Sequence, residues 1–549
     1  MSTPPSQQRA KARGAYYTRP VAADFLVHWS VRSAADTVLD PSFGGGVFLK
    51  SALARLEHLG GDPAQVYGVE LDTDAHQQTA YELSRLYSLS PHNLIRSDFF
   101  EVAQQLQPVD AVVGNPPFIR YQRFRGADRQ LALRQAQKQG VALSQLVSSW
   151  APFLVHSCAL LKRGGRLAMV VPTELGHAAY ARPVLKYLVD HFASTTLLTF
   201  RKRLFPELSQ DTLLVLAEEK RRGKGQLYLH DVASAADLEP PQEAIRSLTS
   251  AEEVSPDDII SGRTTLSSYW IPAAARTLYL KLANHPATRR LGDLAEVGVG
   301  YVTGANAFFH LSEEAARAKG ISASYLTPAV YRGRALSGLR FSEQDWKAAE
   351  QAGEAGFLLY LPPNKHLSEP VKAYLAEGER QAVHTAYKCR IRSPWYSVPH
   401  VHEPDAFLSY MSGLRPAFVT NQAGAVAPNS LHTVRLRADA PVSARALALR
   451  WQTSLTLLSA ELEGHALGGG MLKLEPSEAK KVLVALSTET TAELNEAYAT
   501  MDEHLRANDL EAALGTGDLA LRKGLGLKAE ECELVRQSYY SLRDRRMNR

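Results

Sequence analysis

The sequence predicts an α/β fold with a mainly parallel sheet first, a mixed α+β region after it, and a helical segment last. Short runs rich in β-branched residues alternate with longer amphipathic stretches, as in βαβ units. Four of these runs lie at 37–40, 66–70, 110–113 and 166–171. Near the end, apolar residues recur at steps of three and four, as on one face of a helix. These residues are Leu494, Tyr498, Met501 and Leu505.

Changes of composition along the chain predict five segments. We expect a flexible leader at 1–14 and the α/β domain at 15–235. A stretch of Pro, Ser and acidic residues at 236–269 indicates a connector. The mixed α+β domain should cover 270–485, and the helical segment should cover 486–549.

Composition sets the broad class of the protein. Of 549 residues, 45% are hydrophobic and 22% are charged, which excludes collagen-like, coiled-coil and wholly disordered chains. Sixty-two Lys and Arg against 57 Asp and Glu permit a nucleic-acid partner without arguing for one. Three widely spaced cysteines argue against a disulfide framework and against a metal site. Without a membrane-spanning run or a secretion signal, we expect a cytoplasmic protein that makes no membrane contact.

A glycine turn lies between the first predicted strand and the next helix, at 38–50. Gly44 and Gly46 would let the backbone approach a ligand closely, since no Cβ stands in the way. The N-terminus of the following helix offers unpaired N–H groups to a carboxylate. A purely structural turn has the same pattern, so the turn alone does not establish a ligand-binding site.

Acidic residues follow the next two predicted strands. Glu70 ends the second strand, where a carboxylate usually accepts from ribose hydroxyls. Asp98 and Phe99 follow the third strand, and an acid beside an aromatic ring suits an adenine. Neither GxxxxGK[ST] nor GxGxxG is present, so we expect a nucleoside ligand without a pyrophosphate. S-adenosylmethionine (SAM) meets this description.

The fourth strand is followed by a rigid turn, 113–120, which contains Asn115, Pro116, Pro117 and Phe118. The Asn115 side-chain oxygen and the Pro116 carbonyl could accept both hydrogens of a planar amine. Phe118 could stack on the ring that bears this amine. Because such an amine is weakly basic, it needs orientation more than deprotonation. The alternative is a strand-ending turn with a core phenylalanine.

Together these motifs resemble the γ group of amino-methyltransferases of DNA, in which a SAM motif precedes the catalytic Asn-Pro-Pro loop and a target-recognition domain comes last. The resemblance implies a Rossmann-like catalytic domain at 15–235, a recognition domain at 270–485 and SAM as cofactor. It assigns cofactor binding to Tyr17, Thr18, Asp40, Gly44, Gly46, Glu70, Asp98 and Phe99. It assigns catalysis to Asn115, Pro116, Pro117 and Phe118.

Adenine N6 is the favoured target, since the variants with Ser in place of Asn that accompany cytosine N4 are absent. The base must be flipped out of the duplex. The resemblance places its stacking partners at Phe118 and Phe205, with Phe200 as the alternative to Phe205.

Two basic segments are candidates for contact with double-stranded DNA. Arg120, Arg123 and Arg125 follow the catalytic loop and could hold phosphates, although a solvated helix face has the same composition. In the recognition domain we expect groove contacts from Lys388, Arg390 and Arg392.

Other functions remain open at this point. Related chemistry occurs in enzymes that methylate guanine N2 in RNA or glutamine in proteins. A fused nuclease and a DNA-binding subunit without catalysis are further alternatives. A modification enzyme of a restriction–modification system is favoured, and its cognate endonuclease would be encoded separately.

Overall fold

A computed structural model describes residues 18–102, 105–206, 211–486 and 490–548. The described chain forms two compact units, and the boundary between them in the sequence lies between Trp270 and Ile271. Tyr17, one of the expected cofactor residues, lies outside the described residues. The finer segment boundaries expected from composition stay a prediction.

The first unit is built on one sheet. Its strands are β1 (Val38–Asp40), β2 (Val66–Glu70), β3 (Leu94–Arg96), β4 (Val109–Gly114), β5 (Leu161–Pro172), β6 (Phe192–Phe200), β7 (Thr212–Lys220), β8 (Gln226–Val232) and β9 (Glu252–Val254). Their spatial order is β3-β2-β1-β4-β5-β7-β6-β8-β9. Strands β1 to β5 pair in parallel, whereas β7 is antiparallel to both β5 and β6.

Nine helices are described in this unit. They are α1 (Pro20–Ser30), α2 (Val47–Leu59), α3 (Thr73–Tyr87), α4 (Phe99–Val102), α5 (Gly126–Lys138), α6 (Trp150–Ala159), α7 (Arg182–His191), α8 (Pro241–Ser247) and α9 (Pro256–Ser261). The start of α3 is fixed by the Asp72 carboxylate, which accepts from the backbone N–H groups of Asp74 and Ala75. Helix α6 is buried along almost its whole length, as its apolar sequence requires.

The strand order determines where a ligand can bind. From β1 the chain proceeds outward to β2 and β3, then returns to place β4 on the other side of β1. In open parallel sheets, ligands bind beyond the carboxyl ends of the strands at this point of reversal. The carboxyl ends of β1 and β4 are therefore the expected position of the site.

The stretch 236–269, expected as a connector, is an ordered edge of the first unit. Strand β9 pairs antiparallel with β8, and Val254 and Ile259 are buried in the core. The Ser255 side chain accepts from the Asp258 backbone N–H and caps α9. Pro, Ser and Asp are here the residues that begin helices, which explains why their composition resembles that of a loop.

The second unit contains four smaller sheets. Its strands are β10 (Thr288–Arg290), β11 (Ala295–Val299), β12 (His310–Leu311), β13 (Leu326–Val330), β14 (Arg340–Phe341), β15 (Ala355–Leu359), β16 (Ala406–Ser409), β17 (Met411–Ser412), β18 (Phe418–Asn421), β19 (Leu431–Leu436), β20 (His465–Leu467), β21 (Met471–Lys473) and β22 (Leu483–Ala485). The sheet orders are β11-β19-β16-β18-β14, β12-β15-β13, β17-β21-β20 and β10-β22. The pairs are antiparallel except for β14 with β18.

The helices of the second unit are α10 (Ala273–Ala283), α11 (Leu291–Leu294), α12 (Asn306–Phe309), α13 (Glu313–Ala318), α14 (Glu343–Gln351), α15 (Glu369–Arg380), α16 (Tyr387–Arg390), α17 (Ala444–Trp451), α18 (Ser454–Glu463), α19 (Pro476–Ala479), α20 (Thr491–Arg506), α21 (Leu510–Leu525) and α22 (Ala529–Met547). Helix α20 buries Tyr498, Met501 and Leu505, three members of the predicted apolar face.

The predicted fold class, a parallel α/β domain with a mixed region and terminal helices, is confirmed. Across the described ranges, no helix combines the length and apolar character needed to cross a membrane.

Candidate active site

The predicted site residues of the first unit lie at the carboxyl ends of neighbouring parallel strands. Asp40 ends β1 and Glu70 ends β2, while Asp98 comes shortly after β3 and Asn115 directly follows β4. The Ser42 hydroxyl donates to the Asn115 backbone carbonyl across 3.4 Å. The glycine turn and the Asn-Pro-Pro-Phe loop therefore meet where the strand order reverses.

The glycine turn has the backbone conformation that the sequence predicts. Gly44 and Gly46 have φ angles of 48° and 73°, which favour glycine. A Cβ on Gly46 would lie 2.5 Å from Cγ2 of Thr79, whereas nothing lies within 4 Å of a Cβ on Gly44. The turn is thus closed on the side of α3 and open at Gly44, where a ligand can approach the backbone.

Glu70 holds the glycine turn against the end of β2. Its Oε2 accepts from the Gly44 N–H at 2.8 Å, and its Oε1 accepts from the Asp72 N–H at 2.7 Å. Leu71, the next residue after the strand, is 62% exposed. An exposed apolar side chain beside the glycine turn is a feature that sequence reasoning missed, because leucine alone gives no signal of exposure.

Asp40 is completely buried, and only one of its two carboxylate oxygens has a hydrogen-bond partner among the described residues. Its Oδ1 accepts from the Ser42 N–H at 3.1 Å, but its Oδ2 has no hydrogen-bond partner in the described chain. Burial raises the pKa of this carboxyl to about 8. A buried acid in this state favours a ligand that brings a hydrogen-bond donor or a positive charge.

Asp98 and Phe99 lie at the end of β3, as predicted, but Phe99 faces the core. Asp98 Oδ1 accepts from the Phe100 N–H at 2.8 Å, and burial raises the pKa of Asp98. The Phe99 ring is buried, with its centroid 4.7 Å from that of Phe153 and 4.9 Å from that of His156. The position of Asp98 suits a polar ligand group, whereas the Phe99 ring mainly supports α6.

Asn115 is oriented by a residue far away in the sequence. Its Nδ2 donates to the Thr18 hydroxyl at 3.1 Å. Its Oδ1 is buried and has no donor among the residues that the structure describes. The amide therefore presents a shielded acceptor, which is the group that the amine-binding hypothesis requires.

Each half of the chain matches a known family model. Residues 5–255 match the family model described as N-6 DNA methylase. Residues 263–521 match the model of the C-terminal domain of Type II methyltransferase M.Eco57I. The two matches together support a DNA adenine methyltransferase of the restriction–modification type. The predicted resemblance to DNA adenine methyltransferases of restriction–modification systems is confirmed.

Curated relatives agree with this assignment, and a solved structure shows the same fold. Type II methyltransferase M.AccI of Acinetobacter calcoaceticus is 22% identical over 459 residues, which is 81% of this chain and 80% of that protein. M.BstVI of Geobacillus stearothermophilus is 25% identical over 221 residues, 34% of this chain and 38% of that protein. The Type IIL restriction-modification enzyme MmeI, in complex with DNA, has the same fold, with a TM-score of 0.55 and 12% identity. That alignment covers 96% of this chain and 75% of MmeI.

Ser149 fixes the Asn-Pro-Pro-Phe loop and was missed by sequence reasoning. Its hydroxyl donates to the Pro117 carbonyl and accepts from the Ile119 N–H, the latter at 2.8 Å. Its own N–H donates to the Ile119 carbonyl at 3.0 Å. The peptides on both sides of Phe118 are thus held from the start of α6. In the sequence, Ser149 precedes an apolar run and resembles an ordinary helix cap.

The aromatic residues expected to hold the base are buried in the methylase. Phe118 is 6% exposed, Phe205 is 2% exposed, and Phe200 is buried at the end of β6. Arg203 and Asp211 form a buried ion pair at 2.8 Å on the two sides of the segment that contains Phe205. This ion pair joins a residue that closely follows β6 to the residue just before β7.

The basic segment after the Asn-Pro-Pro-Phe loop is exposed, as the predicted DNA-binding role requires. Arg120, Arg123 and Arg125 all lie on the surface. Phe124 is buried, and its N–H donates to the Arg120 carbonyl at 3.0 Å. Phe124 therefore anchors a turn that directs the arginines toward solvent.

The three basic residues predicted for the second unit have different environments. Lys388 and Arg390 lie over the ring of Tyr387, which is 63% exposed. Arg392 instead donates to the backbone carbonyls of Val302 and Thr303, with 2.8 Å to the latter. Lys388 and Arg390 thus belong to an exposed basic surface, whereas Arg392 fixes a loop.

Proposed function

We propose that this methylase transfers a methyl group from SAM to N6 of an adenine flipped out of a specific double-stranded DNA sequence, as the modification enzyme of a restriction–modification system. The similarity to N-6 DNA methylases and to Type II methyltransferases supports DNA as the substrate class. The observation that most directly supports amine chemistry is the shielded Oδ1 of Asn115, to which no residue of the described ranges donates. We expect the cognate endonuclease to be a separate protein.

The glycine turn and the strand-end acids fit SAM. Gly44 offers open backbone, and Glu70 and Asp98 offer carboxylates. The Oδ2 of Asp40, which has no partner among the described residues, suits a donor or a cation. We propose that these residues hold the cofactor, together with Thr18, Gly46 and Tyr17, whereas the Phe99 ring would support the site only from the core side, where it packs on α6. The exposed side chain of Leu71 adds an apolar contact beside Glu70. When bound, SAM supplies an electrophilic methyl group.

Asn115 and Pro116 would orient the amine. The Asn115 Oδ1 and the Pro116 carbonyl each accept one hydrogen of the exocyclic amine, which directs the nitrogen lone pair out of the plane of the ring. The contact from Asn115 Nδ2 to Thr18 keeps the amide from turning its nitrogen toward the amine. Neutral acceptors are sufficient because the step depends on orientation more than on proton removal.

Phe118 and Phe205 would stack on the flipped adenine. Flipping costs a few kcal/mol, and stacking on an aromatic side chain returns about 1–3 kcal/mol per base. Both rings are nearly covered in the structure, so we expect base entry to displace the side chains that cover them. Arg120, Arg123, Arg125, Lys388 and Arg390 would contact phosphates and position the duplex.

The substitution Asn115→Ala tests the proposal. We expect SAM affinity, measured by calorimetry, to stay within error of the parent protein. Methyl transfer to DNA should fall by about a thousandfold, since a preorganised polar contact at the reacting group is lost. Incorporation of radiolabelled methyl groups into plasmid DNA measures this loss.

A matched control removes a side-chain amide elsewhere in the same unit. Asn93 donates to the carbonyls of Ala64 and Val66 at 2.8 and 2.9 Å, outside the site. Asn93→Ala should therefore leave methyl transfer intact. Normal turnover in Asn115→Ala would contradict the orienting role, and label in ribosomal RNA or protein instead of DNA would contradict the substrate class.

A further inference from the structure

The second unit contains a cavity of about 330 Å³. It is lined by the loop after β17, by the residue after α17, and by α18, α20, α21 and α22. Its volume is at the lower end of the range for small-molecule sites. Leucine and tyrosine side chains provide most of the lining, and four other polar or charged residues are Arg415, Gln452, Glu511 and Arg543.

Arg415 is a half-buried cation that pairs with no acidic side chain of the described residues. Its Nη1 is shielded from solvent, and across the described ranges its guanidinium makes no hydrogen bond and no ion pair. Burial lowers the pKa of Arg415 to about 10, so the group stays charged at neutral pH. Tyr539 lies nearby, but burial raises the pKa of its phenol to about 12, so it stays neutral. A shielded cation in this state is unfavourable unless an anion approaches it.

A second set of donors faces the same cavity. Gln452 is 2% exposed, and its Nε2 has no acceptor within the described part of the chain. Arg543 differs, because it pairs with Asp544 at 2.7 Å and lies over the ring of Tyr540 at 4.6 Å. Glu511 makes no ion pair with Arg415. Arg415 and Gln452 thus both offer donors that no acceptor of the described residues uses, and the Arg415 donor is positively charged.

We infer that this cavity is a binding site for a small organic oxyanion, a phosphate monoester or a carboxylate, whose anionic group accepts from Arg415 and Gln452. Charge-assisted hydrogen bonds to a guanidinium are the strong contacts for such groups. The leucines and Tyr540 would cover a compact apolar or aromatic body. The site is separate from the methyl-transfer residues of the first unit, and it does not depend on their assignment.

A phosphate of the DNA backbone presents the same anionic group. The apolar lining favours a free small molecule, since a backbone phosphate brings no apolar body into the cavity. The two sources differ in what they require: a free ligand binds without DNA, whereas a backbone phosphate contributes only to DNA affinity and its salt dependence.

Calorimetry and thermal unfolding of the full chain test the inference, with phenyl phosphate and benzoate as probes and benzyl alcohol as the neutral comparison. We expect at least one anion to bind and to raise the unfolding temperature, and the alcohol to do neither. Arg415→Gln should weaken anion binding by about tenfold or more, since the charged donor is removed. It should also raise the unfolding temperature of the free chain, because an uncompensated charge is lost. Arg435→Gln, an exposed arginine of β19, should change neither property.

A second variant keeps the test conclusive if Arg415→Gln does not fold. Gln452→Glu is nearly isosteric and brings a carboxylate to the same cavity, so it should abolish anion binding while stabilising the free chain. Failure of both anions to bind the parent protein would overturn the inference, as would equal binding by Arg415→Gln. A loss of DNA affinity and of its salt dependence in Arg415→Gln, with no response to free anions, would assign the contact to DNA and overturn it as well.

Discussion

Asn115 gains its proposed function from contacts with residues distant in sequence. The Thr18 hydroxyl accepts from Nδ2, and the Ser42 hydroxyl donates to the backbone carbonyl. These contacts leave Oδ1 as the unused acceptor. An asparagine after a strand is common, but one whose side-chain amide and backbone are each held by a distant hydroxyl is suited to orient a planar amine.

Ser149 allows a prediction about the loop itself. In Ser149→Ala the hydroxyl contacts to Pro117 and Ile119 are lost, so Phe118 and the Pro116 carbonyl are less well fixed. We expect kcat to fall by about 10- to 100-fold, as for other small misplacements of reacting groups, with SAM affinity unchanged. Steady-state kinetics with plasmid DNA would measure this difference.

Ser157→Ala provides the matched control, since its hydroxyl is also buried in α6 but donates to the Phe153 carbonyl within the helix. A general loss of stability would affect both variants alike. Equal kcat values for the two variants would show that Ser149 has no positioning role.

At the scale of the residue, sequence reasoning located groups but not their partners. Gly44, Glu70 and Asn115 were predictable, because each belongs to a short motif at a strand end. Ser149 was not, since its contacts cross 30 residues and depend on how α6 packs. Hydrogen bonds between distant segments leave no local pattern in a single sequence.

At the scale of the element, the basic residues in and just after α16 have two different roles. Lys388 and Arg390 lie on the exposed Tyr387, so replacing either by alanine should weaken DNA binding for all sequences alike. A plot of log affinity against log salt concentration has a negative slope, and each replacement should reduce the magnitude of that slope by about 1. Binding titrations at several salt concentrations would show this change.

Arg392→Ala should behave differently, because its guanidinium holds the Val302 and Thr303 carbonyls. We expect a lower unfolding temperature and an unchanged salt slope. A salt slope that falls in Arg392→Ala but not in Lys388→Ala would contradict the distinction. This distinction between surface and structural basic residues was not predictable from the sequence, since all three residues occur in one basic run.

At the scale of the whole molecule, the order of motifs predicted the family and the α/β unit correctly. The glycine turn, the acids and the Asn-Pro-Pro-Phe loop follow consecutive strands, and βαβ topology brings such strand ends together. The cavity of the second unit was not predictable. Arg415, Gln452, Glu511 and Arg543 come from four separate segments, and only the packing of the terminal helices brings them together.

The most direct test of the central claim is to express the chain in a bacterium without DNA methylases and to map modified bases in its plasmid by single-molecule sequencing. We predict N6-methyladenine at one defined sequence, and none when Asn115→Ala is expressed at the same level. Unmodified plasmid despite folded, SAM-binding protein would contradict the account, and so would modification confined to cytosine N4.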